Sequence, residues 1–501
     1  MQGLDGLQIS IEADVSDGLP GYSFVGYLAS EVREAQDRVR TAIKNLGLSL
    51  PPKKVTINLS PADIRKEGTA YDLGIAVAIL MAYGALLPDL TEGAAFIGEL
   101  GLDGKIKRIP GVLALTSWAK QFGFTKLFLP KENVREASVI EGIGLIGVDS
   151  LQELMLMLQG NQAMTEYENT EKICISGNLN RYDVDFSEIN GQTVLRRAAE
   201  VAAAGMHNLL IIGPAGSGKT MVAKRMPTIL PKMDISECIE ISKIYSIANY
   251  LSEKEPLITS RPFRAPHHTV SAQALVGGGA RPKPGEVSLA TGGILFLDEL
   301  PEMRASVEGL REVLEERQIT ISRVYGTVCY PANLQLVAAM NPCRCGFYPD
   351  LNRCTCTSGQ IKRYLSKVSR PLLDRIDICV EAAAVTYDEI TEKRENETSG
   401  SIRNRVECAR KIQTERFKGM EIRCNSEMSG KQVREFCIIN KEESRFMKRV
   451  FEEMGLSVRM YDKILKVART AADLEGRPDI EHKDLCEAIS YVRVRDKYWK
   501  N

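Results

Sequence analysis

The sequence has no excess of charge of either sign, no long apolar run and no low-complexity tract. Its 65 basic and 65 acidic residues cancel, so bulk charge predicts no polyanionic partner, and a nucleic-acid surface would need local clustering of charge. The longest apolar segment, Leu73 to Leu87, contains glycines and a tyrosine and is shorter than the ~18 residues of a membrane span. We therefore expect a buried helix there and no membrane partner.

The sequence also shows no signal peptide, which bears on its 12 cysteines. Disulfide-rich secreted domains are short, whereas most of these cysteines stand singly within apolar segments of a 501-residue chain. We therefore expect reduced thiols in a cytoplasmic protein. The length predicts about three domains of ~150 residues each, large enough to bury substantial cores.

The most informative stretch is GPAGSGKT, which follows a short apolar run and so has the strand-loop-helix context of a phosphate-binding loop. Backbone N–H groups of such a loop turn toward phosphate, and the N-terminus of the next helix adds partial positive charge. The residues predicted to bind ATP are Gly213, Pro214, Ala215, Gly216, Ser217, Gly218, Lys219 and Thr220. Lys219 would reach the β- and γ-phosphates, and Thr220 would ligate Mg²⁺.

Polar side chains follow two further apolar strands. The strand ending at Leu297 is followed by Asp298 and Glu299. Asp298 is predicted to hold Mg²⁺, usually through water, and Glu299 to orient and deprotonate the attacking water. Asn341 follows the strand Leu334–Met340; it is predicted to hold that water beside the γ-phosphate, and an ordinary strand-end asparagine is the alternative.

Two arginines are candidates for stabilising charge on the transferred phosphoryl group. Arg375 is predicted to act from a neighbouring subunit, with Arg370 as the second choice. The alternative is a surface ion pair of Arg375 with Asp374 or Asp377. Arg459 opens a helix near the end of the chain and is predicted to reach back to the γ-phosphate from a helical lid.

A CxC-x8-CxC pattern predicts an all-thiolate zinc site. Its members are Cys343, Cys345, Cys354 and Cys356. The CxC spacing gives a tighter bite than CxxC, and disulfides or free thiols are the alternatives. The adjacent His267 and His268 have no third ligand at useful spacing, so we interpret them as part of a structural or substrate-facing loop.

Basic residues in two loops are candidates for contact with a phosphate backbone. Arg281 and Lys283 follow the glycines 277–279, in a loop that is equally well explained as a solvated turn. Arg323 lies near the tip of a predicted β-hairpin over residues 319–330.

The order of patterns predicts four regions. Residues 1–160 form an α/β domain, 161–186 a polar linker, and 187–390 the ATPase core. Residues 401–501 are nearly all amphipathic helix, with a mild basic bias that solubility explains as easily as DNA binding.

The P-loop, acidic pair, strand-end asparagine and two arginines together resemble an AAA+ ATPase, whose site is completed across a subunit interface. Longer stretches resemble the YifB/ComM family of magnesium-chelatase-like ATPases over nearly the whole chain. They are PFRAPHH, PGEVSLATGGILFLDEL, AAMNPC, RPLLDRIDI and LSVRMYDKILKVARTAADL. The resemblance implies an α/β fold in which an AAA+ core is followed by a helical C-terminal lid. It also implies a hexameric, ATP-driven motor on DNA, a helicase or branch-migration factor in recombination or natural transformation. A metal-insertion ATPase and a nucleotide-gated regulatory assembly protein are the alternatives.

The front region resembles the Lon-protease-like domain. Asp72 stands where proteolytic members have serine, and Val112, Leu113 and Leu115 stand where their lysine is expected. Without a nucleophile and its base, acyl chemistry has no starting point, so we expect a non-proteolytic scaffold. The family usually has an extra strand before the segment matching residues 4–6, so we expect either an incomplete edge of this domain or a misassigned start codon.

Overall fold

The structure, a computed structural model, describes residues 3–47, 51–167, 181–279, 282–303, 307–323, 326–384 and 396–499. These residues fall into two units. The front unit comprises Met1–Gly177, Ile235–Ile258 and Thr320–Cys329, and the core unit comprises Asn178–Asp234, Thr259–Ile319 and Tyr330–Asn501. Two segments of the predicted core range 187–390 therefore pack with the front unit. Sequence patterns divide a chain only into consecutive ranges, whereas in the folded chain a segment can pack with a unit that is distant from it in sequence.

The front unit is an α/β arrangement of three small sheets. Its elements are β1 (Ser10–Ser16), β2 (Gly21–Val25), α1 (Ser30–Arg33), α2 (Ala35–Asn45), β3 (Lys54–Ser60), α3 (Asp72–Ala82), β4 (Ala94–Phe96), β5 (Glu99–Leu100), β6 (Ile106–Lys107), α4 (Val112–Gln121), β7 (Lys126–Pro130), α5 (Val134–Ala137), β8 (Gly144–Val148) and α6 (Leu151–Leu158). The sheets have the strand orders β1-β3-β2, β4-β7-β8 and β5-β6. In the first, β1 is antiparallel and β2 parallel to β3.

Helix α3 is the buried helix expected within the longest apolar segment. Seven of its residues are buried, and apolar side chains occupy most of its circumference. Its first residue, Asp72, accepts hydrogen bonds from Arg38 Nε at 2.7 Å and from the backbone N–H of Leu100 at 3.2 Å. Burial raises the pKa of the Asp72 carboxyl, and the Arg38 guanidinium opposes that rise. Asp72 therefore serves as the partner of a nearby arginine within the front unit.

The remaining elements follow the polar stretch around residue 170. They are α7 (Thr193–Gly205), β9 (Leu209–Ile212), α8 (Lys219–Arg225), α9 (Ile235–Ile247), β10 (Phe263–Arg264), α10 (Ala272–Val276), β11 (Gly277–Gly278), β12 (Lys283–Pro284), α11 (Glu286–Leu289), β13 (Ile294–Leu297), α12 (Leu310–Glu316), β14 (Gln318–Arg323), β15 (Gly326–Pro331), β16 (Gln335–Met340), α13 (Ser358–Leu365), α14 (Arg370–Leu373), β17 (Ile378–Glu381), α15 (Ser399–Arg416), α16 (Gly430–Phe436), α17 (Lys441–Met454), α18 (Val458–Leu474) and α19 (His482–Trp499). Helix α9 belongs to the front unit.

The core unit is built on a five-stranded sheet with the order β10-β13-β16-β9-β17. Every neighbouring pair is parallel. Strands β9, β13 and β16 are buried along their whole length, which explains why they are continuous apolar runs without alternation. The α/β fold class with a parallel sheet is confirmed. Because all five strands run the same way, the polar residues that follow them meet at one edge.

The C-terminal helices α15 to α19 share one hydrophobic cluster with this sheet, so the predicted helical lid packs onto the core. Their starts follow local capping chemistry: the side chains of Thr398, Ser429, Asn440 and Ser457 each accept a backbone N–H of the first turn. No helix in the described part of the chain is both long and apolar enough to cross a bilayer.

The predicted hairpin is present, since β14 and β15 form a sheet of their own. Arg323 ends β14, and the tip residues 324–325 lie outside the described residues. The glycine-rich loop pairs β11 with β12 antiparallel. Lys283 lies in β12, whereas Arg281 lies outside the described residues.

Candidate nucleotide site

The P-loop connects β9 to α8 at the carboxyl edge of the sheet. Lys219 Nζ donates to the backbone oxygens of Gly213 at 2.8 Å and Pro214 at 2.7 Å, and to Asn341 Oδ1 at 3.2 Å. A Cβ at Gly213 would lie 2.6 Å from the backbone oxygen of Ala382, so this position excludes any larger residue. Burial lowers the pKa of Lys219, and the nearby Asp298 carboxylate opposes that shift. The loop thus holds its ammonium group inward, among acceptors that phosphate oxygens would replace.

The two predicted magnesium ligands lie side by side. Thr220 Oγ1 donates to Asp298 Oδ2 at 2.8 Å, and the other carboxylate oxygen, Oδ1, accepts the backbone N–H of Glu299 at 2.9 Å. Hydroxyl and carboxylate oxygens are the hard ligands that Mg²⁺ prefers. The residues present therefore fit the ion, and Asp298 is oriented for it from the far side.

Glu299 has a neighbour that sequence reasoning did not identify. His268 Nδ1 lies 3.2 Å from Glu299 Oε2, and the rings of His267 and His268 lie 4.1 Å apart. The register pairs Phe263 of β10 with Ile294 of β13. Continued along both chains, that offset places residue 268 level with residue 299. The histidine pair thus faces the predicted catalytic base.

The four cysteines of the CxC pattern converge. Their ligand atoms all lie within 4.8 Å of one another, and the sulfur of Cys345 is 3.3 Å from that of Cys343 and 3.5 Å from that of Cys354. The backbone N–H of Phe347 lowers the pKa of the Cys345 thiol to about 6. All cysteines in the described ranges are free thiols. The predicted disulfide alternative is thus absent from the structure, and the sulfurs are clustered as a metal would require.

Arg375 lies at the amino edge of the sheet, opposite the P-loop. Asn208, just before β9, donates through Nδ2 to the backbone oxygen of Arg375 at 2.8 Å. The P-loop follows the other end of β9, and a strand of four residues is ~13 Å long. The Arg375 guanidinium pairs with Glu315, so the expected alternative of an ion pair with Asp374 or Asp377 is replaced by a different one.

Arg459 lies at this same edge. It lines a cavity of about 230 Å³ together with Arg375, Lys463 and Lys466. Arg459 therefore lies away from the P-loop of its own chain, because α18 packs beside the start of the strands. Its contact with a γ-phosphate stays a prediction. The sequence contains no signal for which end of the sheet the lid covers.

A buried ion network holds the amino edge together. Asp377 Oδ1 lies 3.5 Å from Lys463 Nζ, and its Oδ2 lies 3.4 Å from His207 Nδ1. Burial alone would raise the pKa of the Asp377 carboxyl, but the Lys463 ammonium and the His207 ring hold it below its usual value. Because Asp377 is two residues from Arg375, this network fixes the backbone that carries the arginine.

Comparison with known proteins shows what the chain is similar to. Residues 185–390 match the family described as magnesium chelatase, subunit ChlI; residues 11–133 match subunit ChlI of Mg-chelatase; residues 396–492 match its C-terminal family. The uncharacterized protein YifB of Escherichia coli strain K12 is 40% identical over 494 residues, which cover 98% of this chain and 95% of that protein. The competence protein ComM of Haemophilus influenzae is 39% identical over 501 residues, covering 98% and 96%. The chain belongs to the YifB/ComM family of magnesium chelatase-like AAA+ ATPases.

A more limited likeness extends outside this family. The DNA repair protein RadA of Streptococcus pneumoniae is 32% identical over 112 residues, which cover 22% of this chain and 26% of that protein. The YifB and ComM proteins thus match this chain over nearly its full length, whereas RadA matches 22% of it.

The predicted site residues form two groups. Lys219, Thr220, Asp298, Glu299 and Asn341 meet at the carboxyl edge, where they can bind a triphosphate with Mg²⁺ and hold a water for attack. The two arginines meet at the amino edge. One chain therefore presents a phosphate-binding edge and, at the opposite edge, the two arginines.

Proposed function

We propose that this protein is a Mg²⁺-dependent ATPase that assembles into a ring of six subunits, as the family resemblance implies, and moves along DNA. The observation that carries the proposal is the separation of the arginines from the P-loop within one chain. Arginines at the far edge of a subunit are positioned for the nucleotide of a neighbour. A head-to-tail contact of this kind closes into a ring when the rotation between subunits permits.

Each side chain at the carboxyl edge has one task in hydrolysis. Lys219 binds the β- and γ-phosphate oxygens, while Asn341 orients the water. Glu299 accepts the proton of that water as its oxygen attacks the γ-phosphorus, and ADP leaves. Thr220 and Asp298 would hold Mg²⁺, which neutralises charge on the phosphate oxygens. Arg375 and Arg459 of the adjacent subunit would stabilise the charge that develops on the transferred group.

DNA is the proposed substrate on which this work is done. The relatives include a competence protein and, over part of the chain, a DNA repair protein. The proposed contacts to phosphate are Lys283 of the glycine-rich loop and Arg323 at the end of β14, the first strand of the hairpin. Such contacts track the backbone without reading bases, so DNA binding should weaken as salt rises.

The proposal includes Zn²⁺ at the four-cysteine site. A tetrahedral ion held by four thiolates is a closed, structural site. We also place the protein in the cytoplasm, because reducing conditions there keep thiols available as ligands.

The test is an ATPase assay with linear, forked and four-way DNA, run on the wild type and on Glu299→Gln. We expect DNA to raise the wild-type rate and the variant to bind ATP with turnover lowered by about 10²–10⁴-fold. A rate that no DNA changes would refute the translocase. Equal low rates for both proteins would favour a nucleotide-gated regulator instead.

A further inference from the structure

We infer that the four-cysteine site is a zinc-held brace that positions Asn341 and the P-loop, so that metal loading controls ATP turnover. The inference rests on the proposed ATPase function and its Zn²⁺ site, and adds that the ion controls the rate of hydrolysis. The brace consists of Cys343, Cys345, Cys354 and Cys356 with the loop between them.

The sulfur geometry fits zinc. A tetrahedral ion with Zn–S bonds of about 2.3 Å places its sulfurs about 3.8 Å apart. The Cys343 sulfur lies 3.3 Å from that of Cys345 and 3.7 Å from that of Cys354, and the Cys345 and Cys354 sulfurs are 3.5 Å apart. Disulfide sulfurs would be only about 2.05 Å apart. These three sulfurs are thus slightly closer together than in a zinc tetrathiolate and far from disulfide distance, and the Cys356 sulfur lies within 4.8 Å of each of them.

Backbone N–H groups surround these sulfurs. The N–H of Tyr348 donates to Cys343 Sγ at 3.4 Å, and those of Phe347 and Thr355 donate to Cys345. Such outer hydrogen bonds stabilise thiolate charge and orient metal ligands. The loop thus presents backbone donors to the sulfurs of Cys343 and Cys345.

The brace adjoins the nucleotide site at two places. Cys343 is fully buried and stands two residues after Asn341, whose backbone hydrogen-bonds to the Tyr364 hydroxyl. Gly346 lies against the P-loop, since a Cβ there would be 3.8 Å from the backbone nitrogen of Ala215. The same loop therefore supports the residue that contacts Lys219 and the turn that surrounds phosphate.

Loss of the metal should affect turnover more than binding. Without the ion, no metal–sulfur bond ties the Cys343–Cys345 turn to the Cys354–Cys356 turn, so the loop would open and Asn341 would lose its support. Lys219, Thr220 and Asp298 stand outside the loop and still hold nucleotide. We expect kcat to fall by at least about tenfold, the scale typical for outer-shell partners of a metal site, while ADP affinity changes less than about threefold.

The experiment measures zinc per chain by mass spectrometry, together with kcat, KM and the Kd of a fluorescent ADP analogue. The protein is full-length and purified without chelator under reducing conditions. The variants are Cys354→Ser/Cys356→Ser and Cys356→His, and the control is Cys408→Ser, at an exposed cysteine of α15. We expect about one zinc in the wild type, the control and the histidine variant, because Cys3His is a common zinc set. The double serine variant should lose zinc and kcat together.

Each other outcome has a definite meaning. Wild type without zinc, in which all four thiols react with a thiol reagent, would overturn the metal site even if ATPase activity is normal. Zinc lost without a change in kcat would overturn the brace. Zinc bound by a wild type that hydrolyses no ATP would leave the metal site standing and refute the proposed function. Stripping wild-type protein with an organomercurial and restoring Zn²⁺ should abolish and recover turnover, a result that misfolding of a variant cannot imitate.

Discussion

A mixture of two inactive variants would show that the arginine acts between subunits. Lys219→Ala removes the phosphate contact, and Arg375→Ala removes the transition-state contact. Each should be inactive alone, since loss of an arginine that stabilises the transferred phosphoryl group costs about 10³-fold or more in kcat. Because Arg375 lies at the edge opposite its own P-loop, the two defects fall on opposite sides of a subunit interface.

The expected recovery follows from this arrangement. An interface in a mixed ring has a working site when one subunit carries Arg375→Ala and still supplies Lys219, and its neighbour carries Lys219→Ala and still supplies Arg375. Random assembly of a 1:1 mixture produces that pairing at about one interface in four. Activity should therefore rise from background to at most about a quarter of the wild-type rate. If the arginine served its own chain, every site in the mixture would carry a defect and nothing would recover.

The assay is steady-state phosphate release at saturating ATP after the variants are mixed and reassembled. Arg445→Ala is the matched control: Arg445 lies on α17, is exposed, and does not line the cavity with Arg459. It should keep near wild-type turnover. A mixture that stays at background, although both variants form mixed rings, would refute the reasoning, and so would an active Arg375→Ala.

Other changes test separate parts of the structure. His268→Ala removes the imidazole that lies 3.2 Å from Glu299. It should lower kcat by about tenfold and leave KM nearly unchanged, because His268 acts through the proposed catalytic base Glu299. An unchanged kcat would show that the contact is incidental. Asp72→Asn leaves the Arg38 guanidinium without its anionic partner and should lower the free energy of unfolding by about 3 kcal/mol, as for other broken buried pairs, measured by urea denaturation. Asp377→Asn should lose stability that wild type has at neutral pH. The folded-state pKa of Asp377 is lowered. The carboxylate therefore contributes to the free energy of unfolding above its unfolded pKa of about 3.9, and this contribution is lost as pH falls toward the folded value. The difference in unfolding free energy between wild type and Asp377→Asn should thus shrink in acid.

Much of the nucleotide site could be predicted because its residues follow short apolar runs. Thr220, Asp298 and Asn341 each come after a buried parallel strand or its loop, and parallel strands end at one edge. Their hydrogen bonds to one another and to Lys219 bear that reasoning out as geometry. Their roles in hydrolysis stay predictions.

The remaining features depend on which strands are neighbours. His268 was interpreted only as part of a structural or substrate-facing loop, and its contact with Glu299 was missed, since nothing in the sequence shows that β10 lies beside β13. The edge at which Arg459 lies could not be predicted, because an amphipathic helix does not indicate which end of a sheet it will cover. The closeness of Gly346 to the P-loop likewise depends on β16 lying beside β9.

The amino-acid sequence by itself determined the phosphate-binding chemistry, the cluster of thiols and the α/β class, because each depends on side chains close together along the chain. Only the tertiary structure decided that the arginines lie at the edge opposite their own P-loop and that Gly346 of the thiol loop lies against the P-loop. Those relations join residues more than a hundred positions apart. They follow from the strand order β10-β13-β16-β9-β17 and from the packing of the helical lid, which local propensity does not encode.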